Sequence, residues 1–96
     1  MYLKIHRSGG SVIVALCDRE ILGKTLKEGD ISVTISEEFY KGDPVSEEEA
    51  RDVLSRAGNI NIFGDRSVSC AIDCGIVNKN NVKFIDGVAH AQVFRI

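Results

Sequence analysis

Two β-type stretches near the N-terminus, two capped helices that do not alternate regularly with strands, and a closing strand–turn–strand predict an α+β fold. The expectation is a single domain over residues 1–96. It has a mixed, mainly antiparallel sheet of five or six strands, packed with two main helices at 46–57 and 66–74.

The first strand is read from "YLKIHR", where Leu3 and Ile5 alternate with Tyr2, Lys4 and His6. Ser8-Gly9-Gly10 is a turn signal, and "SVIVALC" after it is a continuous β-branched run, as in a central strand covered on both faces. Together they read as an antiparallel hairpin. Residues 18–26 fit either a short helix capped by Asp18 or a further hairpin arm. "ISVTIS" then alternates, which places Ile31, Val33 and Ile35 inward.

The helix in "VSEEEARDVLSRAG" carries the clearest local signal. Ser46 and Glu49 have capping-box spacing, and Val45 can staple onto Ala50. Ala50, Val53, Leu54 and Ala57 form one apolar stripe, with Gly58 as the expected left-handed stop. "NINIF" is a short strand. The second helix follows in "GDRSVSCAIDCG", with Asp65 expected as its N-cap and Gly75 as its end. "NVKFI", the turn Asp86-Gly87 and "VAHAQVFRI" complete the pattern.

Composition narrows the function classes. Twelve basic and fourteen acidic side chains give a net charge of −2, which argues against binding nucleic acid by bulk charge alone. No stretch has signal-peptide or membrane-span length, so the expected setting is a cytoplasm with its three cysteines reduced. No cofactor and no membrane partner are implied.

"CDREILGKT" ends in the Gly23-Lys24-Thr25 of a phosphate-binding loop, but Asp18 occupies the first glycine position and Gly29-Asp30 stop any following helix. Nucleotide binding is therefore rejected here, leaving Lys24 as a single solvated cation that could meet an anionic partner. Cys70 and Cys74 are four residues apart and fall on a helix flank away from the Val68–Ile72 stripe. Further metal ligands would have to come from Cys17, His6 or His90, and no C-x-x-C pair is present, so packing is the preferred reading.

On the last strand, Val88, His90, Gln92, Phe94 and Ile96 share one face, while Ala89 and Ala91 on the other suit a close-packed helix. His90 and Gln92 interrupt an apolar face, and burying either unpaired would cost about 1–3 kcal/mol. They either find internal partners or line a site. Asp65 and Arg66 open a helix directly after a strand, which makes them a second candidate, for an anion at free N–H groups.

"CDREILGKTL", "FYKGDPVSEEEA", "NIFGDRSVSCAIDCGIV" and "GVAHAQ" occur in an order and spacing that resemble the archaeal domain-of-unknown-function family four-two-four. Cys17-Asp18, Leu22-Gly23-Lys24 and His90-Ala91-Gln92 match its pattern; Cys70 and Cys74 correspond to nothing in it. The resemblance implies an archaeal cytosolic α+β protein and brings no activity, so no catalytic residues are carried over.

The leading expectation is a non-enzymatic binding or accessory module that touches RNA or a translation component, with a positive patch at Lys24, Arg66 or Arg95. The competing one is a small enzyme using His90 as general base with Cys17 or Asp18 nearby. A homo-oligomer through an edge strand is compatible with either.

Overall fold

The computed structural model describes residues 1–95. Ile96, which the sequence pattern assigns to the His90 face, lies outside them. The N-terminal hairpin forms as expected from β1 (Tyr2–Ser8) and β2 (Ser11–Cys17), with Gly9 and Gly10 both at positive φ in its two-residue turn. β3 (Thr25–Glu28) and β4 (Ile31–Thr34) make a separate two-stranded ribbon. A 3-10 turn at Arg19–Ile21 precedes it, so residues 18–26 combine a helical turn with a strand.

Next come the one-turn helix α1 (Glu37–Tyr40), the two-residue strand β5 (Asp43–Pro44) and α2 (Glu47–Leu54). The second half supplies β6 (Asn59–Phe63), α3 (Asp65–Asp73), β7 (Lys83–Ile85) and β8 (Val88–Phe94). Among the described residues the main sheet has six strands in the order β5-β1-β2-β6-β8-β7. Only β2 and β6 run parallel; the other pairs are antiparallel. The mixed α+β architecture is the one expected, with α1 and the separate ribbon in addition.

Strand alternation divides the core in two. Leu3, Val14, Leu16, Ile60, Ile62, Ala89 and Ala91 pack with Ala50 and Leu54 of α2 and Val68 and Ala71 of α3. The alanines at 89 and 91 admit α3 close to the sheet. On the opposite side, Ala15, Cys17 and Phe63 are buried under Leu26, Ile35 and Tyr40 from the ribbon and the α1 region. This second layer covers only part of its face, which leaves the β6–β8 side open.

Both capping-box bonds of α2 form between Ser46 and Glu49, at 3.1 Å each. The bond from Ser46 N, followed by the Ser46 hydroxyl, holds the pKa of the Glu49 carboxyl below its ordinary value. Its C-terminus departs from expectation. Gly58 is not left-handed, and the regular helix stops at Leu54. The Arg95 guanidinium donates to the Leu54 and Ala57 carbonyls, while Arg95 N donates to Gly58 O, so a distant side chain satisfies groups that a left-handed glycine would otherwise serve. At the end of α3, Gly75 does take positive φ.

Two further expectations are corrected. Gly64, not Asp65, is the N-cap of α3. Ile31 faces outward at 51% exposure, because the ribbon ends beyond the sheet; only Val33 and Ile35 reach the core layer. Cys70 takes the packing role preferred for it on the helix flank: it is buried where α2 packs against α3, and the thiol donates to Glu47 O at 3.6 Å. Burial pushes the pKa of its thiol up, with the neighbouring Cys74 adding to the effect.

Candidate functional site

Asp18 lies just past the end of β2, beside the loop from β6 into α3. Its carboxylate accepts hydrogen bonds from Arg66 N at 3.1 Å, Ser67 N at 2.8 Å and Ser67 Oγ at 2.7 Å. The helix N-terminus that sequence offered to an external anion is thus filled by the protein's own carboxylate. Gly64 makes the approach feasible: at φ 110°, a Cβ there would lie 2.3 Å from Asp18 Cγ. Asp65 and Arg66 are exposed, with no side-chain hydrogen bond or ion pair among the described residues. Lys24 is likewise exposed.

His90 and Gln92 stand elsewhere, on the open side of β8. The His90 ring stacks on Phe63, with centroids 4.0 Å apart and planes at 16°. Its Nδ1 lies 2.8 Å from Ile62 O. A carbonyl only accepts, so the neutral ring carries its proton on Nδ1 and presents a lone pair at Nε2. His6 has the opposite arrangement, with Nε2 donating to Phe39 O at 2.8 Å and the ring stacked on Phe39. Gln92 pairs with Asn61 directly across the strands, Nε2 donating to Asn61 Oδ1 at 2.9 Å. One such bond leaves each amide with unused donors and acceptors on an exposed face.

His90 and Gln92 line a surface depression, a groove of about 720 Å³ that also includes Glu28, Ile31, Asn81, Lys83 and Ile85; Asn61 stands beside it through its bond to Gln92. A second depression of about 290 Å³ shares Asn81 and Gln92 and continues past Phe94 and Arg95. Phe94, 74% exposed, stands on the His90–Gln92 face of this surface, whereas Phe84, 60% exposed, pairs with Ala89 and lies toward the α3 face beside Val68 and Ile72. Lys24, Asp65 and Arg66 line neither part. Of the five candidate residues, the fold brings together only His90 and Gln92. Arg95 borders the groove, but its guanidinium is committed to the end of α2.

The catalytic arrangement entertained from sequence does not assemble. Cys17 pairs in register with Phe63 and Phe63 with His90, so thiol and imidazole are two strands, about 10 Å, apart with the Phe63 ring between. Cys17 is fully buried, and burial followed by the charge of Asp18 pushes its thiol up to about 11. It is a neutral thiol near pH 7, not a nucleophile. Asp18 is occupied by α3. No group of three or more His, Cys, Asp or Glu is placed to hold a metal among the described residues.

Residues 6–96 match the family described as "Protein of unknown function (DUF424)". The chain belongs to this family. A solved structure described as an uncharacterized conserved protein from Methanopyrus kandleri is 30% identical, with a TM-score of 0.85 over 99% of this chain and 93% of that one. No curated protein matches the chain significantly. No helix is long and apolar enough to cross a membrane among the described residues.

Sequence reasoning missed Asn61 as a partner of the site. The alternation of Asn59 and Asn61 with Ile60 and Ile62 was a usable signal: it marks β6 as a strand with one polar face.

Proposed function

We propose that this DUF424 member is a non-enzymatic binding module whose ligand is single-stranded RNA lying along the β8 groove. The observation that carries this reading is the amide pair Asn61–Gln92, with unused hydrogen-bonding capacity, beside the His90 lone pair and the exposed Phe94 ring on the same sheet face. Unpaired bases present flat faces for stacking and polar edges for amide contacts, and this surface supplies both kinds of partner. Lys83 is the lysine in its lining. With about one phosphate contact, the salt dependence is shallow, a log–log slope of about −0.7.

The test is fluorescence anisotropy with a labelled mixed-sequence single-stranded RNA of about a dozen nucleotides, at low salt. Binding is expected to weaken at least tenfold in the Asn61→Ala, Gln92→Ala double variant. Wild type that binds no RNA at low salt, or a double variant that binds equally well, refutes the reading.

A further inference from the structure

The groove beside β8 holds two kinds of polar group, and only one kind tells bases apart. The amides of Asn81 and Gln92, and of Asn61 beside them, carry donor and acceptor atoms together, so each turns to suit an amino or a keto group. Lys83 stands opposite His90 across the β7–β8 pair, and its flexible ammonium reaches a phosphate or a base oxygen alike. His90 and Glu28 have no such freedom. The His90 ring is fixed by Nδ1–H on Ile62 O and by its stack on Phe63, so the neutral ring only accepts at Nε2. Glu28 ends β3 and lines the same groove. Its Oε1 accepts from Asp86 N at 3.1 Å, and its second oxygen has no partner among the described residues. An ionised carboxylate, like this imidazole nitrogen, accepts and does not donate.

Resting on the RNA reading above, we propose that the groove selects cytosine and adenine over uracil, with His90 Nε2 and Glu28 as the specificity-determining acceptors. Cytosine and adenine carry an exocyclic amino group, with two N–H donors, where uracil carries the oxygen O4. A carboxylate accepts from cytosine N4 on the same logic in duplex grooves. Uracil in that position sets O4 against the lone pair of Nε2 or of the carboxylate, and leaves both sides without a hydrogen. A site built around a fixed polar group rejects the analogue that lacks its partner more strongly than it rewards a matching shape. The charge of Glu28 also repels phosphate, so bases rather than backbone turn toward this wall, while Lys83 is left for the phosphate. Ile31, 51% exposed in the same lining, offers apolar contact to a base face.

The experiment compares two labelled RNAs of about a dozen nucleotides, one all cytidine and one all uridine, by fluorescence anisotropy. It is run at low salt and about pH 8, where an imidazole is neutral. The two rings are the same size and differ only at positions 3 and 4, so stacking is matched while the polar edge changes. Wild type is expected to bind oligocytidine about tenfold more tightly than oligouridine. Glu28→Gln keeps an oxygen for Asp86 N and adds an N–H for O4, so oligouridine should bind more tightly and the ratio should fall to about twofold. His90→Phe keeps a ring against Phe63 and removes the acceptor, so oligocytidine should weaken while oligouridine does not. Equal binding of both oligomers by wild type overturns the selectivity and leaves the RNA reading standing. A ratio unchanged in both folded variants likewise removes these two residues from the choice of base. Binding of neither oligomer overturns the selectivity and the RNA reading together.

Discussion

The Asp18–Gly64–Ser67 junction and the His90–Gln92 groove are both polar clusters at strand ends and on strand faces, and they are opposites in how their hydrogen-bonding capacity is used. At the junction the carboxylate accepts three bonds from the start of α3, and Gly64 leaves no room for a side chain. In the groove, His90 and Gln92 each make one internal bond on an accessible face. The junction is chemically more conspicuous in sequence, with a cysteine, an aspartate and part of a phosphate-loop motif, yet it serves the fold. Unused hydrogen-bonding capacity beside a depression is the better guide to a working surface.

The largest effect expected from breaking this contrast lies at the junction. Gly64→Ala combines positive φ with a 2.3 Å overlap onto Asp18 and should cost about 3 kcal/mol or more in urea unfolding, whereas Gln92→Ala should cost less than about 0.5 kcal/mol. Asp18→Ala, which leaves Ser67 N and Oγ buried without their acceptor, should cost about 2–3 kcal/mol by the same measurement. If Asp18→Ala were neutral to stability, the junction would have to be reconsidered as a binding site.

A smaller effect concerns pH. The folded-state Cys17 value is raised from 9.0 to about 11, so its contribution is complete below pH 9 and is lost as pH climbs toward 11. Tyr40, also raised by burial and then by Cys17, acts in the same direction above pH 10. Unfolding free energy should fall by on the order of 2 kcal/mol between pH 8.5 and 11. Cys17→Ala should lose part of that dependence, and an unchanged slope would remove Cys17 from the account. The smallest effect is spectroscopic: long-range ¹H–¹⁵N correlations should give Nδ1–H for neutral His90 and Nε2–H for neutral His6. The reverse tautomer at His90 would replace the lone pair offered to a ligand with a donor.

Local chemistry was legible in the sequence and long-range chemistry was not. The Ser46–Glu49 box, the Gly9-Gly10 and Asp86-Gly87 turns and the small Ala89–Ala91 face each depend on neighbours within a few residues, and all appear. The cap of α3 comes from Asp18, 48 residues before Arg66, and the α2 carbonyls are met by Arg95, 41 residues after Leu54. No local pattern announces such partners. α1 spans a single turn, too short for periodicity to register. His90 and Gln92 were visible as polar interruptions on an apolar strand, but the bonds of His90 to Ile62 O and of Gln92 to Asn61, and the groove beside them, required the register of β6, β7 and β8.

The central claim is that the β8 groove, and not the Asp18 junction, is where this protein meets its ligand. A ¹H–¹⁵N titration of the folded chain with single-stranded RNA addresses both regions at once. The account predicts shifts concentrated at residues 59–61, 81–84 and 90–95, with 18–24 and 64–67 unmoved. Shifts confined to 18–24 and 64–67 would contradict it.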